Sequence, residues 1–444
     1  MQLHDFDFSS TNLLSTRNKM DTLVFETSLA FAQKMDEQDA LKIYRDQFHL
    51  PKHTDGNDSL YFCGNSLGLQ PKKVESYLQQ ELNDWKKFGV EGHFHAKNAW
   101  MPYHEFFSKK LAKIVGAQEQ EVVVMNTLTT NLHLMMVSFY RPTAKRHKIV
   151  IEKAAFPSDK YAMDSQIRFH GYDPQESLIQ LSPRTGEETL RIEDIEATLR
   201  ENADEIALVM LGGVNYYTGQ FFDLEYITQI GHEIGALVGF DLAHAAGNVV
   251  LKLHDWNVDF AVWCHYKYLN SGPGAIAGAF VHDKHLHDPN IPRFEGWWGH
   301  DKNTRFLMGD TFHPMASAES WQLSNAPVFS MTPLLASLEL FDEVGMDKLQ
   351  EKSKLLTAYM EFLLQQIETD RIQIITPSSP KDRGCQLSIQ VKNGNKALFD
   401  AITAKGVIAD WREPDVIRVA PVPLYNNFMD VYQFVEILKS ELLG

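Results

Sequence analysis

A chain of 444 residues, 44% hydrophobic and 23% charged, has the make-up of a soluble globular protein, with material for roughly two or three domains around a large core. Its formal net charge of −16 repels phosphate backbones and anionic lipid headgroups, and no basic patch in the sequence offsets that, so nucleic acid and membrane surfaces are excluded as expected partners. The cysteines Cys63, Cys264 and Cys385 stand far apart without CxxC spacing, which excludes a disulfide framework and a cysteine-rich zinc site and fits a reducing compartment.

The opening stretch MQLHDFDFSSTNLLSTRNKM carries early acids and no apolar h-region, so no secretory signal is expected. No apolar run reaches the roughly 18 residues of a membrane helix, and a cytoplasmic location is the expectation. Residues 1–60 read as a polar, helical N-terminal segment ending in the loop PKHTDGNDS. The next segment, PKKVESYLQQELNDWKKFG, sets Val74, Tyr77, Leu78, Leu82, Trp85 and Phe88 on one stripe between a proline start and a glycine stop, which predicts an amphipathic helix.

From about residue 120 to 282, short apolar runs alternate with helical stretches. EVVVMN, HKIVIEKAAF, EIALVML, GALVGFD, VDFAVWC and AIAGAFV are rich in valine, isoleucine and alanine and lack polar alternation, as strands buried on both faces do. RIEDIEATLREN and LEYITQIGHEI read as the helices between them, so a mainly parallel sheet flanked by helices is expected over a large domain, residues 61–330. Residues 331–444 read as a smaller C-terminal α+β domain. Within it, one helix presents Leu349, Ser353, Leu356, Met360, Leu363 and Ile367 on one face. CQLSIQV alternates like a half-exposed strand with Leu387, Ile389 and Val391 inward, and NKALFDAITAKG and MDVYQFVEILKSELL read as further helices. There is no internal repeat and no low-complexity tract.

Ligands of open α/β sheets bind beyond the carboxyl ends of the strands, and that is where the chemistry gathers. GFDLAHAAGN delivers Asp241 and His244 straight after one apolar run; VWCHYKYLN delivers Tyr266 and Lys267 after the next. Pyridoxal phosphate needs such a pair: a lysine to bond its aldehyde and an acid to keep its pyridine nitrogen protonated. The glycines of SGPG would let backbone come close beside the lysine. On these residues alone, a surface lysine and a buried helix-capping acid remain an equal reading.

FPSDKYA (156–162), DLAHAAGN (241–248), WCHYKYLNSGPG (263–274), GWWGH (296–300), LSNAP (323–327) and RVAPVPLYNNF (418–428) together resemble the kynureninases, in one order and across most of the chain. The resemblance implies the fold type I architecture of pyridoxal-phosphate-dependent enzymes. It implies hydrolysis of L-kynurenine or 3-hydroxykynurenine to anthranilate or 3-hydroxyanthranilate and L-alanine, in tryptophan breakdown and the supply of nicotinamide cofactors. Lys267 would carry the cofactor, Asp241 would pair with its pyridine nitrogen with His244 alongside, and Tyr266 would touch the phosphate and donate a proton. Phe156, Pro157, Ser158 and Asp159 would line the ring, Leu128 and Thr129 of NTLTTN would hold the phosphate, and Trp297 and Asn325 would reach in from the other subunit of a homodimer. Arg418 would grip the substrate α-carboxylate, and His93, Asn325 and Tyr217 would line the substrate pocket. Gly212 and Asn215 depart from the family, which often carries serine and histidine there.

Two rival classes have weaker support. The histidines of HDKHLHD lack the paired helical spacing of a zinc hydrolase and read as a solvated loop, so no metal is expected. An aminotransferase or a cysteine-desulfurase-like enzyme would share the fold, the latter requiring a mobile loop cysteine.

Overall fold

The computed structural model describes residues 23–288, 290–392, 394 and 396–444. Of the expected polar helical start, residues 1–22 lie outside the described residues. The rest of that segment forms a helix over Leu29–Gln38, capped by Ser28, whose hydroxyl accepts the Phe31 N–H at 3.2 Å, and a 3-10 turn over Lys42–Gln47.

A two-residue strand, β1 (Leu60–Tyr61), precedes the central sheet, built from β2 (Val122–Met125), β3 (Lys148–Glu152), β4 (Leu178–Leu181), β5 (Ile206–Gly212), β6 (Leu237–Asp241), β7 (Phe260–Cys264) and β8 (Ala277–Val281). The order across the sheet is β2-β8-β7-β6-β5-β3-β4. All pairings are parallel except those of β8, which runs antiparallel to β2 and β7. The apolar runs fold this way because each strand is buried on both faces. Val122, Val124, Val209, Val238 and Phe240 join the core under the helices Glu105–Val115, Ile192–Glu201 and Leu224–Glu233. Their neighbours Val123, Met125, Leu208 and Met210 join the opposite core under Leu128–Phe139 and Pro157–Phe169. The edge strand β4 escapes sequence reading because its outer residues are only partly covered.

The second unit is an antiparallel sheet of order β12-β13-β10-β9, formed by β9 (Ile372–Ile374), β10 (Leu387–Val391), β12 (Asp410–Arg412) and β13 (Val416–Val419). The helices Met346–Gln365 and Phe428–Leu443 share its core, with Phe31, Met35 and Phe62 from the N-terminal side. A short strand β11 (Val407–Ile408) pairs in parallel with β1, tying that segment to this unit.

Four local expectations change. The helix Lys73–Phe88 forms, but Leu82 and Trp85 of its apolar stripe are exposed, while the acids Glu81 and Asp84 are buried on its inner side. Glu81 is satisfied there by Trp100 Nε1, Asn98 Nδ2 and Tyr103 Oη at 2.9, 3.0 and 3.1 Å. The strand in CQLSIQV is covered on both faces, because Ser388 Oγ donates to the Tyr217 carbonyl (2.5 Å) and Gln386 Nε2 to that of Tyr216 (3.0 Å). HDKHLHD is no solvated loop: His282 is buried and stacks on His254 with ring centroids 4.9 Å apart, and His285 binds the buried Asp259 at 2.7 Å. Gly272 and Gly274 are needed for their positive φ of 77° rather than for close approach, since nothing lies within 4 Å of a Cβ built on either.

Gly239 on β6 leaves room for the Phe260 ring of the neighbouring strand β7. A Cβ there would stand 2.2 Å from the Phe260 ring, which is itself stacked on Phe139 at 4.8 Å. Gly239→Ala should therefore destabilise the protein by about 1–3 kcal/mol, read as a lower thermal unfolding midpoint. An unchanged midpoint would mean that this face of the sheet is loosely filled.

Candidate active site

The carboxyl ends of β3, β5, β6 and β7 open into a cavity of about 90 Å³ lined by, among others, Leu128, Thr129, Glu152, Phe156, Ser158, Asp159, Asn215, Tyr216, Asp241, His244, Tyr266 and Lys267. Asp241 is the last residue of β6, and its Oδ1 accepts the Ala243 N–H at 2.7 Å. Lys267 follows β7 by three residues, on a turn closed by the Asn270 N–H donating to the Lys267 carbonyl at 3.0 Å, with Asn270 at φ 50°. The close backbone approach expected at SGPG occurs instead at Gly68. Its N–H donates to the Tyr266 carbonyl at 2.8 Å, and a Cβ on it would lie 2.3 Å from the Lys267 carbonyl oxygen.

Two helices point their N-termini at the cavity. Leu128–Phe139 and Pro157–Phe169 begin at Thr127 and Phe156, neither of which caps its helix with a side-chain hydrogen bond. The hydroxyls of Thr129 and Ser158, in their first turns, meet at 3.0 Å. Uncapped N–H groups and two hydroxyls at converging positive helix ends suit a phosphate. Above them the Phe156 ring is 44% exposed, a flat apolar face open to a ligand ring, with Lys267 Nζ 6.0 Å from its centroid.

Three carboxyl groups are buried around the one lysine of this cavity. Burial pushes Asp159 well above its ordinary value, reinforced by the charge of Asp241 and by a hydrogen bond to it. Burial also raises Asp241, against the Ala243 N–H, Lys267 and the hydrogen bond from Asp159. Of the two, Asp159 is pushed up further, because the charge of Asp241 and the hydrogen bond that Asp159 makes to it both favour the protonated form. Glu152, at the end of β3, is pushed up to about 7 by burial, although both of its oxygens accept the Gly212 N–H at 3.2 Å. His244 Nε2 lies 3.0 Å from Lys267 Nζ, and its Nδ1 is buried without a partner. Burial, then the charges of Lys267 and Arg418, hold that imidazole well below its ordinary value, so it is neutral and accepts from the lysine.

These features fit pyridoxal phosphate: a lysine amine, an anionic carboxyl, an open aromatic face and an uncapped pair of helix ends share one cavity. Of the residues singled out in the sequence, Leu128, Thr129, Phe156, Ser158, Asp159, Asp241, His244, Tyr266 and Lys267 line it, and Pro157 starts the adjoining helix. Tyr217 lines a neighbouring cavity, separated from the first by Glu152 and Asn215, which line both. Arg418 is buried behind Tyr216, whose carbonyl accepts its Nη1 at 2.6 Å. His93, with Nδ1 2.9 Å from the Val90 carbonyl, Trp297 and the exposed Asn325 lie outside the cavity of their own chain. Gly212, where the sequence lacks a side chain, leaves its N–H to Glu152. Glu152 and Tyr216 carry no motif that marks them in the sequence, although KIVIE ends in an acid at a strand exit just as LVGFD does. Cys264 and Cys385 are buried and Cys63 is partly covered, with burial raising the last to about 11, so none is the mobile loop cysteine of a desulfurase.

Comparison with known proteins agrees with this geometry. A family model described as the kynureninase C-terminal domain matches residues 349–438. A kynureninase of Koribacter versatilis is 56% identical over 423 residues, covering 95% of this chain and all of the relative. One from Myxococcus xanthus is 56% identical over 417 residues, 94% of this chain and 98% of the relative. Among solved structures, the cysteine desulfurase CsdA of Escherichia coli superposes with a TM-score of 0.73 at 16% identity, covering 91% of this chain and 98% of that one. The enzyme C-DES, in a form with glycine covalently linked to its PLP cofactor, gives 0.73 at 15% identity, covering 89% and 98%. At such identities the likeness is one of fold, the α/β fold type I of pyridoxal-phosphate-dependent enzymes.

The raised Glu152 has a consequence for stability. Folded, it keeps its proton up to about pH 7, against an ordinary value of 4.5. The folded state binds more proton over that window, so this contribution favours folding in acid and is lost as pH rises from 4.5 to about 7. Glu152→Gln should gain on the native protein by about 3 kcal/mol across that window, measured as the difference between their unfolding curves in the absence of ligand. Curves that stay parallel would show that Glu152 is ionised throughout.

Proposed function

The chain belongs to the kynureninase family, and from that premise we propose which of its residues do what. The reaction is the hydrolytic cleavage of L-kynurenine to anthranilate and L-alanine, with pyridoxal phosphate as cofactor, a step of tryptophan breakdown that also feeds nicotinamide cofactor synthesis. When bound, the cofactor supplies an aldehyde that bonds an amine and a protonated ring that accepts electrons from bonds broken beside Cα.

Lys267 would hold the aldehyde, and its Nζ would be the base that carries the α-proton. Its hydrogen bond to His244 Nε2 at 3.0 Å supports this, since a neutral imidazole fixes the amine without adding charge. Asp241 would keep the pyridine nitrogen protonated, and Asp159, hydrogen-bonded to it, would hold that carboxyl in place. Phe156 would pack on the cofactor ring; the N–H groups and hydroxyls at Thr129 and Ser158 would take the phosphate, with Leu128 and Pro157 shaping that end. Burial raises the phenol of Tyr266, which keeps its proton and can donate it to the phosphate or to a leaving carbon. Arg418 takes the substrate α-carboxylate, and His93, Tyr217 and Asn325 border the aromatic ring. The single observation carrying this reading is that Lys267 and Asp241 meet two uncapped helix N-termini in one cavity.

The working form is a homodimer in the cytoplasm. Trp297 and Asn325 lie outside their own chain's cavity, and Trp85, Phe329, Leu82 and Trp297 expose apolar surface that a partner would cover. Among the described residues no helix is long and apolar enough to cross a membrane.

Anthranilate fluorescence on mixing the cofactor-loaded protein with L-kynurenine tests the assignment. Lys267→Ala should lower release on the order of a thousandfold or more, and full activity in that variant would end the proposal. Trp297→Ala should weaken cofactor retention by about tenfold in a protein that sediments as a dimer; a fully active monomer would refute the shared site.

A further inference from the structure

Arg418 on β13 stands directly opposite Asp410 on β12 in the sheet register. Its guanidinium is wholly buried. Nη1 is anchored on the Tyr216 carbonyl, Nη2 lies 2.8 Å from Asp410 Oδ2, and neither Nη2 nor Nε completes a hydrogen bond. Arg412 shares the same acid, its Nη2 donating to Oδ2 at 3.1 Å and its Nε 3.0 Å from Oδ1, while the Ser66 hydroxyl donates to Oδ2 as well.

Two guanidinium groups thus meet one carboxylate, leaving one uncompensated positive charge. The side of Arg418 left without hydrogen bonds, Nε and Nη2, is the planar edge that grips a carboxylate through two parallel N–H donors. Asp410 pairs with that edge at Nη2 and leaves Nε without a partner. A cluster short of one anion, buried at Arg418 and open to solvent at Arg412, is stabilised by an arriving carboxylate, and the resident acid both lessens that need and repels the newcomer.

We propose that Asp410 is a resident counter-ion that stands in for the substrate carboxylate at Arg418 while the site is empty, and so limits how tightly an amino acid is held. The proposal rests on Arg418 being the carboxylate site. Asp410 acts through Arg418 and touches no reacting atom, so its effect falls on binding and on release of the product L-alanine rather than on bond cleavage.

The test is calorimetric titration of the cofactor-loaded native protein and its variants with L-alanine and with L-alaninamide, which lacks the carboxylate. Asp410→Asn should bind L-alanine tighter by on the order of tenfold, with alaninamide changed less than about twofold, and Asp410→Glu should stay near native. Arg412→Gln, which removes the surplus charge, should move the other way and bind L-alanine more weakly; it serves should Asp410→Asn fail to fold. Asp410→Asn binding L-alanine no better than native, or weaker, would overturn the proposal and make Asp410 a brace that merely orients Arg418. Arg418→Gln retaining native L-alanine affinity would instead sink the parent assignment, which separates the two failures.

Discussion

Everything at this site depends on how a buried group of carboxyls holds charge. Glu152, Asp159 and Asp241 line one cavity with Lys267. Three ionised carboxyls in such a place would cost several kcal/mol each without partners. Protons settle much of it: burial and the charge of Asp241 push Asp159 well up, and Glu152 gives up its proton only near neutrality. The same reasoning explains His244, whose neutral ring accepts from Lys267 without competing for the acids.

The sheet exists to hold those groups at fixed separations. The runs that lead to these groups are apolar on both faces, IVI before Glu152, LVGF before Asp241 and FAVWC three residues before Lys267, so the side chains emerge at the strand ends. That is why the central strands could be read from the sequence: burial on both faces leaves an unbroken apolar run. Asp241 and Lys267 were legible for the same reason, as polar residues at the ends of such runs. Glu152 obeys the same rule and was passed over because no motif drew attention to it.

What could not be read was set by contacts distant in sequence. The apolar stripe of Lys73–Phe88 suggested an inward face, yet of its residues only Val74 is buried, beside Glu81 and Asp84, because Trp100, Asn98, Tyr103 and the Lys97 N–H bring donors from a later segment. CQLSIQV looked half-exposed because its polar residues alternate. They are buried because the loop at Tyr216 and Tyr217 offers carbonyls to Gln386 and Ser388. Trp297 and Asn325 entered through resemblance, and nothing in their own chain's cavity accounts for them.

Those same carbonyls join the two units. Tyr216 accepts from both Gln386 and Arg418, its ring stands edge-on to Phe156 at 5.4 Å, and the guanidinium of Arg418 lies 5.8 Å from its centroid. A single residue thus touches both Phe156 on the cavity wall and Arg418 on the small sheet. A displacement of that sheet at Arg418 would act first on the Tyr216 carbonyl it holds, beside the ring that packs edge-on to Phe156.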